Sequence, residues 1–283
     1  MKKGILTLSA LGIWACSGQI QAKVNVCVFD LLGKAGESYK LIEEWALLSK
    51  TWGAEVNLLP YQDEAKAEKD FKGGVCDAFY MTSMRARAYS KFAGSIDALG
   101  GVPNNSIAQK AIAYVLDKRN ARRLVTKVGG ESYEVAGIGQ IGSAYIFVKD
   151  RSLNSVAEVK AKKFAVLHYD RAQKQMVERI GAIPVMSDIS NFIRKFNQND
   201  VDIVAAPAYA FKPLEIYKGL GSKGGMIDFP VVNVTADLVL RQSEFPEGYA
   251  VKSRAWFVKQ LPKSFAMVKR MEAEIPSKYR IQL

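Results

Sequence analysis

A chain of 283 residues, 49% of them hydrophobic and 24% charged, buries one large core or two modest ones, and this balance excludes a disordered protein. The formal charge of +12 raises the question of a nucleic-acid partner, but Lys and Arg are spread along the chain. The densest group, Lys118-Arg-Asn-Ala-Arg-Arg123, reads as the solvated face of an amphipathic helix, so no nucleic acid is expected.

The first element is an export signal. Lys2 and Lys3 precede an apolar run over residues 4–15, followed by Ile20-Gln-Ala22. This is the pattern of a secretory signal peptide over residues 1–22, too short to span a membrane. Cleavage after Ala22 lowers the formal charge by the two lysines to +10. The alternative is a lipoprotein anchored at Cys16, where Ile13-Trp-Ala-Cys16 resembles a lipobox with Trp14 at the position of a small residue. No later run is long and apolar enough to cross a bilayer. Cleavage leaves Cys27 and Cys76, and an even number in an oxidising compartment points to one disulfide; the alternative is two buried thiols.

Residues 23–83 read strand–helix–strand–helix–strand. The strand Val24-Asn-Val-Cys-Val-Phe29 ends at Asp30, and a glycine-containing loop leads into a helix over residues 38–52 with Leu41, Ile42, Trp45, Ala46 and Leu48 on its buried face. Gly33 and Gly36 match neither a dinucleotide nor a P-loop fingerprint, so the loop is a plain turn. A second strand, residues 56–59, runs to Tyr61, a second helix ends at Phe71, and the third strand ends at Thr82, Ser83 and Arg85. Residues 106–128 read as mostly helical, and strands are expected at 135–140 and 144–148, either side of Ile141-Gly-Ser143. A helix is expected over residues 155–160.

Residues 162–209 then repeat the first unit. Phe164-Ala-Val-Leu167 leads to Tyr169-Asp170, and a helix runs to Ile180-Gly-Ala182. A strand ends near Ser187, a helix covers residues 190–197, and Val201-Asp-Ile-Val-Ala-Ala-Pro207 closes the unit. Phe71 and Asp77 fall on Phe196 and Asp202 without a gap. The two copies predict two parallel α/β units. The tail holds a return segment at 228–233, a strand at 236–240 and a helix over 253–274 with Trp256, Phe257, Leu261, Phe265 and Val268 on one side, which Pro262 is placed to kink or split.

Ligands of open parallel sheets bind beyond the C-terminal strand ends. That rule selects Asp30, Tyr61, Thr82, Ser83 and Arg85 from the first copy, and Tyr169, Asp170, Arg171, Ser187 and Tyr209 from the second. Asp77 and Asp202 begin their strands at the far end and read as structural turn residues. Asp30 and Asp170 precede helices, where carboxylates commonly cap. His168 is the sole histidine, which excludes a histidine-built metal cluster, and no nucleophile motif such as GxSxG accompanies it. Neither an enzyme nor a cofactor is expected.

Leu153-Asn-Ser-Val-Ala-Glu-Val-Lys-Ala-Lys-Lys-Phe-Ala-Val166, Ile180-Gly-Ala-Ile-Pro-Val185, Phe196-Asn-Gln-Asn-Asp-Val-Asp202 and Ser243-Glu-Phe-Pro246 resemble the DctP-like solute-binding proteins of TRAP transporters. Cys27-Val-Phe-Asp30, Cys76-Asp77, Tyr145-Ile-Phe-Val148 and Tyr217-Lys-Gly-Leu220 resemble a small group of solute-binding proteins, some carrying the efflux-associated name AdeT. The resemblance implies an α/β fold of the two-lobed periplasmic binding protein class (type II-like), with a cleft between the lobes. It divides the chain into lobe 1 at 23–142, lobe 2 at 143–231, and part of 232–283 returning to lobe 1. It also implies a periplasmic protein that captures a small polar or anionic solute for membrane transporter subunits. The alternative is the same fold reused as a periplasmic interaction subunit of an envelope or efflux assembly. One departure stands out: Ala165 occupies the position where the family carries an arginine that clamps the ligand carboxylate, which leaves Arg85 and Arg171 as candidate anchors.

Overall fold

The computed structural model describes residues 22–283; the stretch read as an export signal, save for Ala22, and Cys16 lie outside the described residues. The first copy comprises β1 (Ala22–Phe29), α1 (Glu37–Ser49), β2 (Ala54–Tyr61), α2 (Glu64–Lys72), β3 (Ala78–Thr82) and the single turn α3 (Ser83–Ala86). After α4 (Asn105–Val115) and β4 (Val125–Val128) comes a long strand, β5 (Glu131–Val148). The second copy comprises β6 (Lys163–Leu167), α5 (Arg171–Arg179), β7 (Ile183–Ser187), α6 (Phe192–Asn197) and β8 (Ile203–Pro207). The chain closes with α7 (Ile216–Leu220), β9 (Gly225–Ile227), β10 (Val232–Arg241), α8 (Tyr249–Ala273) and β11 (Arg280–Ile281).

The main sheet runs β2-β1-β3-β10-β5-β8-β6-β7. Each copy has its strands in the order second, first, third, all parallel, and the two copies face each other across the antiparallel pair β10 and β5. The duplication reaches single atoms. Asp77 Oδ2 accepts the Asn25 N–H at 2.7 Å, and Asp202 Oδ2 accepts the Lys163 N–H at 2.8 Å. Both aspartates therefore tie the foot of the third strand to the foot of the first, as turn residues at that end should.

β5 holds both lobes. Its first part pairs with β10, and Ala144–Val148 pairs with β8. The two strands expected around Ile141-Gly-Ser143 are one strand, because Gly142 takes φ 127°, a value open to glycine, and the register absorbs a bulge there. β10 likewise joins the expected return segment to the strand after it. The helix expected over 106–128 stops at Val115; residues 118–124 form a 3-10 turn and 125–128 a strand. Residues 155–160 form turns, with no helix; one helical turn does not nucleate without partners.

One hydrophobic cluster fills the first lobe, with Trp45, Phe71, Phe79, Tyr80 and Phe257 among its members, and two smaller ones flank the second lobe's sheet. α8 runs unbroken through Pro262 for 25 residues. Phe257, Leu261 and Phe265 belong to the first-lobe cluster, whereas Met271 and Ile275 pack with the second. The helix lies so close to β5 that a Cβ on Gly137 would stand 2.1 Å from the Phe257 ring. The tail ends on the second lobe, where β11 pairs with β9. Cys27 and Cys76 are bonded, with Cα atoms 5.8 Å apart. No helix among the described residues is long and apolar enough to cross a membrane.

Candidate functional site

The strand ends of the two copies meet along a seam between the lobes. At one end stands Asp30, 2% exposed. Its carboxylate accepts the N–H groups of Leu32 (2.8 Å), Ser38 (2.9 Å) and Tyr39 (3.2 Å), so it closes the loop and caps α1. The Tyr209 hydroxyl, from beyond β8, donates to the same carboxylate across the seam. Burial first, and Asp30 second, push the Tyr209 phenol above its ordinary range and keep it a donor.

At the other end Arg85 is the hub. Its Nε donates to Glu64 at 2.9 Å and its Nη1 to Glu68 at 2.5 Å, both on α2. Its Nη2 crosses to Asp188 of the second lobe at 3.0 Å, and the guanidinium lies 3.9 Å above the Tyr169 ring. Tyr169 adds a hydroxyl donated to Glu64 at 3.3 Å. Glu64 also accepts the Thr82 N–H at 2.7 Å, yet full burial pushes its carboxyl up to about 7 against the pull of Thr82 and Arg85. His168 Nδ1 lies 3.4 Å from Asp188 and 3.2 Å from the Ser187 carbonyl, a hydrogen-bonding role in keeping with a lone histidine at a strand end.

Asp30, Arg85, Tyr169 and Tyr209 thus come together at the seam. Thr82 and Ser83 lie beside it, buried, and their hydroxyl oxygens have no partner. Ser187 is buried and donates to the Val185 carbonyl at 3.0 Å. Asp170 caps α5 through the Gln173 N–H at 3.1 Å and stands 3.7 Å from Arg87. Tyr61 is spent inside the first lobe, donating to Asp70 at 2.8 Å; burial and that bond raise it to about 12. Arg171 sits exposed at the start of α5, and among the described residues its side chain makes no ion pair or hydrogen bond across the seam, where Arg85 does.

Several residues carry no sequence signal for the roles they take. Glu64 and Glu68 fall in the helix that ends at Phe71 with no motif around them, and only the fold turns them onto Arg85. Arg87, Asp97 and Asp237 lie on segments with no motif. Asp97 and Asp237 are buried acids, and Thr235 Oγ1 lies 3.2 Å from the first and 3.5 Å from the second, so its single proton serves one at a time. At the crossing of β5 and β10, Gln140 donates to Asn233 at 2.6 Å, while Gln140 Oε1 and Asn233 Nδ2 have no partner. Ala165 is buried in the second lobe's cluster, so no arginine reaches the cleft from that strand.

Residues 46–283 match the family described as solute-binding protein AdeT 1/2. The Probable solute-binding protein AdeT1 of Acinetobacter baumannii is 42% identical over 252 residues, 89% of this chain and 82% of that protein. Among solved structures, a TRAP periplasmic solute binding protein from Desulfovibrio salexigens with bound orotic acid superposes with a TM-score of 0.74 at 12% identity, over 93% of this chain and 86% of that one. A TRAP periplasmic solute binding protein from Haemophilus influenzae with bound L-gulonate gives 0.72 at 13% identity, over 92% and 87%. At such identities the superpositions establish the two-lobed fold alone.

Proposed function

The chain belongs to the AdeT 1/2 solute-binding protein family, and from that premise we propose that it captures a small polar or anionic solute between its lobes and delivers it to membrane subunits of a TRAP-type transporter. It does so outside the cytoplasm and catalyses no reaction on the solute. Export rests on Lys2, Lys3 and the apolar run that follows. The lobe division proposed is 23–142 with part of 232–283, against 143–231; it is supported by the separate hydrophobic clusters, with α8 bridging both.

The observation that carries the reading is the construction of the seam. Its polar closure consists of side-chain contacts: Arg85 to Asp188, Tyr169 to Glu64 and Tyr209 to Asp30. Such contacts break and reform without disturbing a strand, as hinge closure requires. Asp188 brings a carboxylate from the second lobe onto Arg85, and an anionic solute offers the same acceptor. Arg85 therefore serves as the anchor, with Asp188 as the acceptor that a solute carboxylate would displace. A guanidinium anchor at the seam favours a polar or anionic solute over an apolar one. Orotic acid and L-gulonate, the ligands of the two structural neighbours above, are of this kind.

A thermal-shift screen of carboxylates, sugars and amines tests the proposal. A bound solute at a hundredfold excess over its Kd stabilises the fold by about 2.7 kcal/mol. Asp188→Asn should tighten binding of a carboxylate by removing its competitor, and Arg85→Gln should abolish it. Stabilisation by amines alone, unmoved by either substitution, would contradict an anionic solute.

A further inference from the structure

The basic group at Lys118–Arg123 takes no part in the seam, and the fold shows where it stands. β4 pairs with the start of β5, from Val125 opposite Glu134 to Val128 opposite Glu131. Leu240 of β10 is the other neighbour of Glu134, and it pairs in turn with Ala78, the foot of β3, whose far end, Thr82, lies at the seam. Arg122 shares a surface groove with Val125, Glu134 and Leu240. The turn of residues 118–124 and the β4–β5 hairpin therefore occupy the pole of the first lobe away from the seam. Ala22 stands at this same pole, at the foot of β1 below Val26, which pairs with Ala78. The apolar run over residues 4–15 thus joins the molecule here.

The pole is strongly basic. Residues 110–128 hold Lys110, Lys118, Arg119, Arg122, Arg123 and Lys127 against Asp117 alone, a net +5, half the charge of residues 23–283. Asp117 is taken by Arg119 at 2.9 Å, and the acids that follow are also taken, Glu131 by Arg241 and Glu134 by Arg254. Lys110, Lys118, Arg122 and Lys127 are exposed and reach no carboxylate within ion-pair distance among the described residues. Arg123 lies 3.5 Å above the Phe92 ring with its charge at the surface. Glu247 lines the groove beside Arg122, and the face stays positive all the same. Two apolar side chains stand among these cations. Tyr114 is 57% exposed, and the Asn120 amide holds its carbonyl at 2.6 Å, which fixes it beside the basic turn. Val128 is 48% exposed at the tip of the hairpin, where Gly129 and Gly130 both take positive φ and make the turn.

We propose that this pole docks on the surface of an anionic phospholipid bilayer. The unmatched cations meet the lipid phosphates, and Tyr114 and Val128 enter the headgroup layer. The charges sit on separate side chains along a helix, a turn and a hairpin, an arrangement that spreads over a charged plane. A dissolved acidic polymer would use the charges alone, whereas a bilayer also takes up the tyrosine and the apolar tip. The position fits as well, because the pole stays uncovered whether the seam is open or closed. The chain also reaches this pole from the segment read as an export signal, which a membrane holds during translocation. The inference concerns a face apart from the cleft and does not depend on which solute enters there.

Vesicles of equal parts phosphatidylglycerol and phosphatidylcholine, sedimented with residues 23–283, test the proposal. The protein should pellet with them and stay in solution with phosphatidylcholine alone, and rising salt should release it. The triple variant Lys118→Glu, Arg122→Glu, Lys127→Glu should lower the partition coefficient by roughly a hundredfold. Lys162→Glu, Lys223→Glu, Lys269→Glu changes the net charge equally at exposed positions elsewhere and should lower it by less than about threefold. Both variants should keep the wild-type urea midpoint. An NBD dye on Val128→Cys should brighten and shift to the blue on these vesicles. The same dye on Val156→Cys, exposed on the second lobe, should not. Equal losses in the two triple variants would overturn the proposal, by showing that net charge alone drives binding. So would a wild-type protein that stays in solution. Pelleting that leaves the Val128 dye unchanged and is reversed by polyglutamate would overturn it too, assigning the face to an acidic polymer.

Discussion

A Cβ on Gly36 would stand 1.8 Å from Asp30 Oδ1. Glycine is needed there for space, because the loop folds its backbone against the carboxylate it surrounds. Gly36→Ala should therefore push Asp30 off the N–H groups of Leu32, Ser38 and Tyr39, at a cost of roughly 2–4 kcal/mol in urea unfolding; a change under about 0.5 kcal/mol would show the loop relaxing freely. The buried acids give a second residue-level prediction. Burial pushes Asp237 up to about 7, and burial with Asp237 beside it holds Asp97 well above the usual carboxylate range. An unfolded aspartate loses its proton near pH 4, so from about pH 4 to pH 7 the folded chain binds more protons and stability falls as pH rises. Glu64, also pushed up to about 7 by burial, adds a slope of the same sign. Asp237→Asn should flatten the decline by roughly 2–4 kcal/mol over that window; urea midpoints that run parallel to wild type across pH would refute the shift. At this scale the sequence was legible where it repeats. Asp77 and Asp202 align without a gap and make the same bond. The Arg85 hub was not legible, because Glu64, Glu68 and Asp188 lie 21, 17 and 103 residues from it and meet it only after folding.

The strand–helix–strand–helix–strand copies were readable from hydrophobic runs and caps, and the neighbouring first and third strands bring Cys27 to Cys76. The bond closes a segment with a sequence separation of 49, for which the chain-entropy estimate is about 4 kcal/mol. The Cys27→Ala, Cys76→Ala double variant should lose 2–4 kcal/mol, roughly, in denaturant unfolding, and alkylation of the unreduced, denatured protein should find no thiol. Two labelled thiols would remove the bond from the account. The connecting elements were harder to read. Gly142 looks like the end of a strand, yet its conformation is what lets β5 continue from one lobe to the other. Pro262 looks like a helix break, yet α8 continues through it because apolar residues on both sides of it pack down, Phe257, Leu261 and Phe265 on the first lobe and Met271 on the second. Short-range signals mark where an element is interrupted, and the packing beyond the interruption decides whether it resumes.

Seen whole, the molecule is two copies of one unit joined by β5, β10 and α8 and closed by side chains. Glu272 near the end of α8 accepts from Asn105 of the first lobe at 3.2 Å and from Tyr145 of the second at 3.2 Å, so the helix end ties the two lobes together. The seam is closed by side chains, so it is the face expected to open. Weakening it with Asp188→Ala and Tyr209→Phe together should shift the unliganded protein toward open forms while leaving both lobe cores intact. Closure around a solute is tested most directly by small-angle X-ray scattering. The unliganded double variant should have a larger radius of gyration than the wild type, and a stabilising carboxylate from the thermal screen, added to saturation, should bring the variant back to the compact wild-type profile. Identical profiles for wild type and variant, with and without that carboxylate, would contradict the account and leave a rigid scaffold in place of a closing cleft.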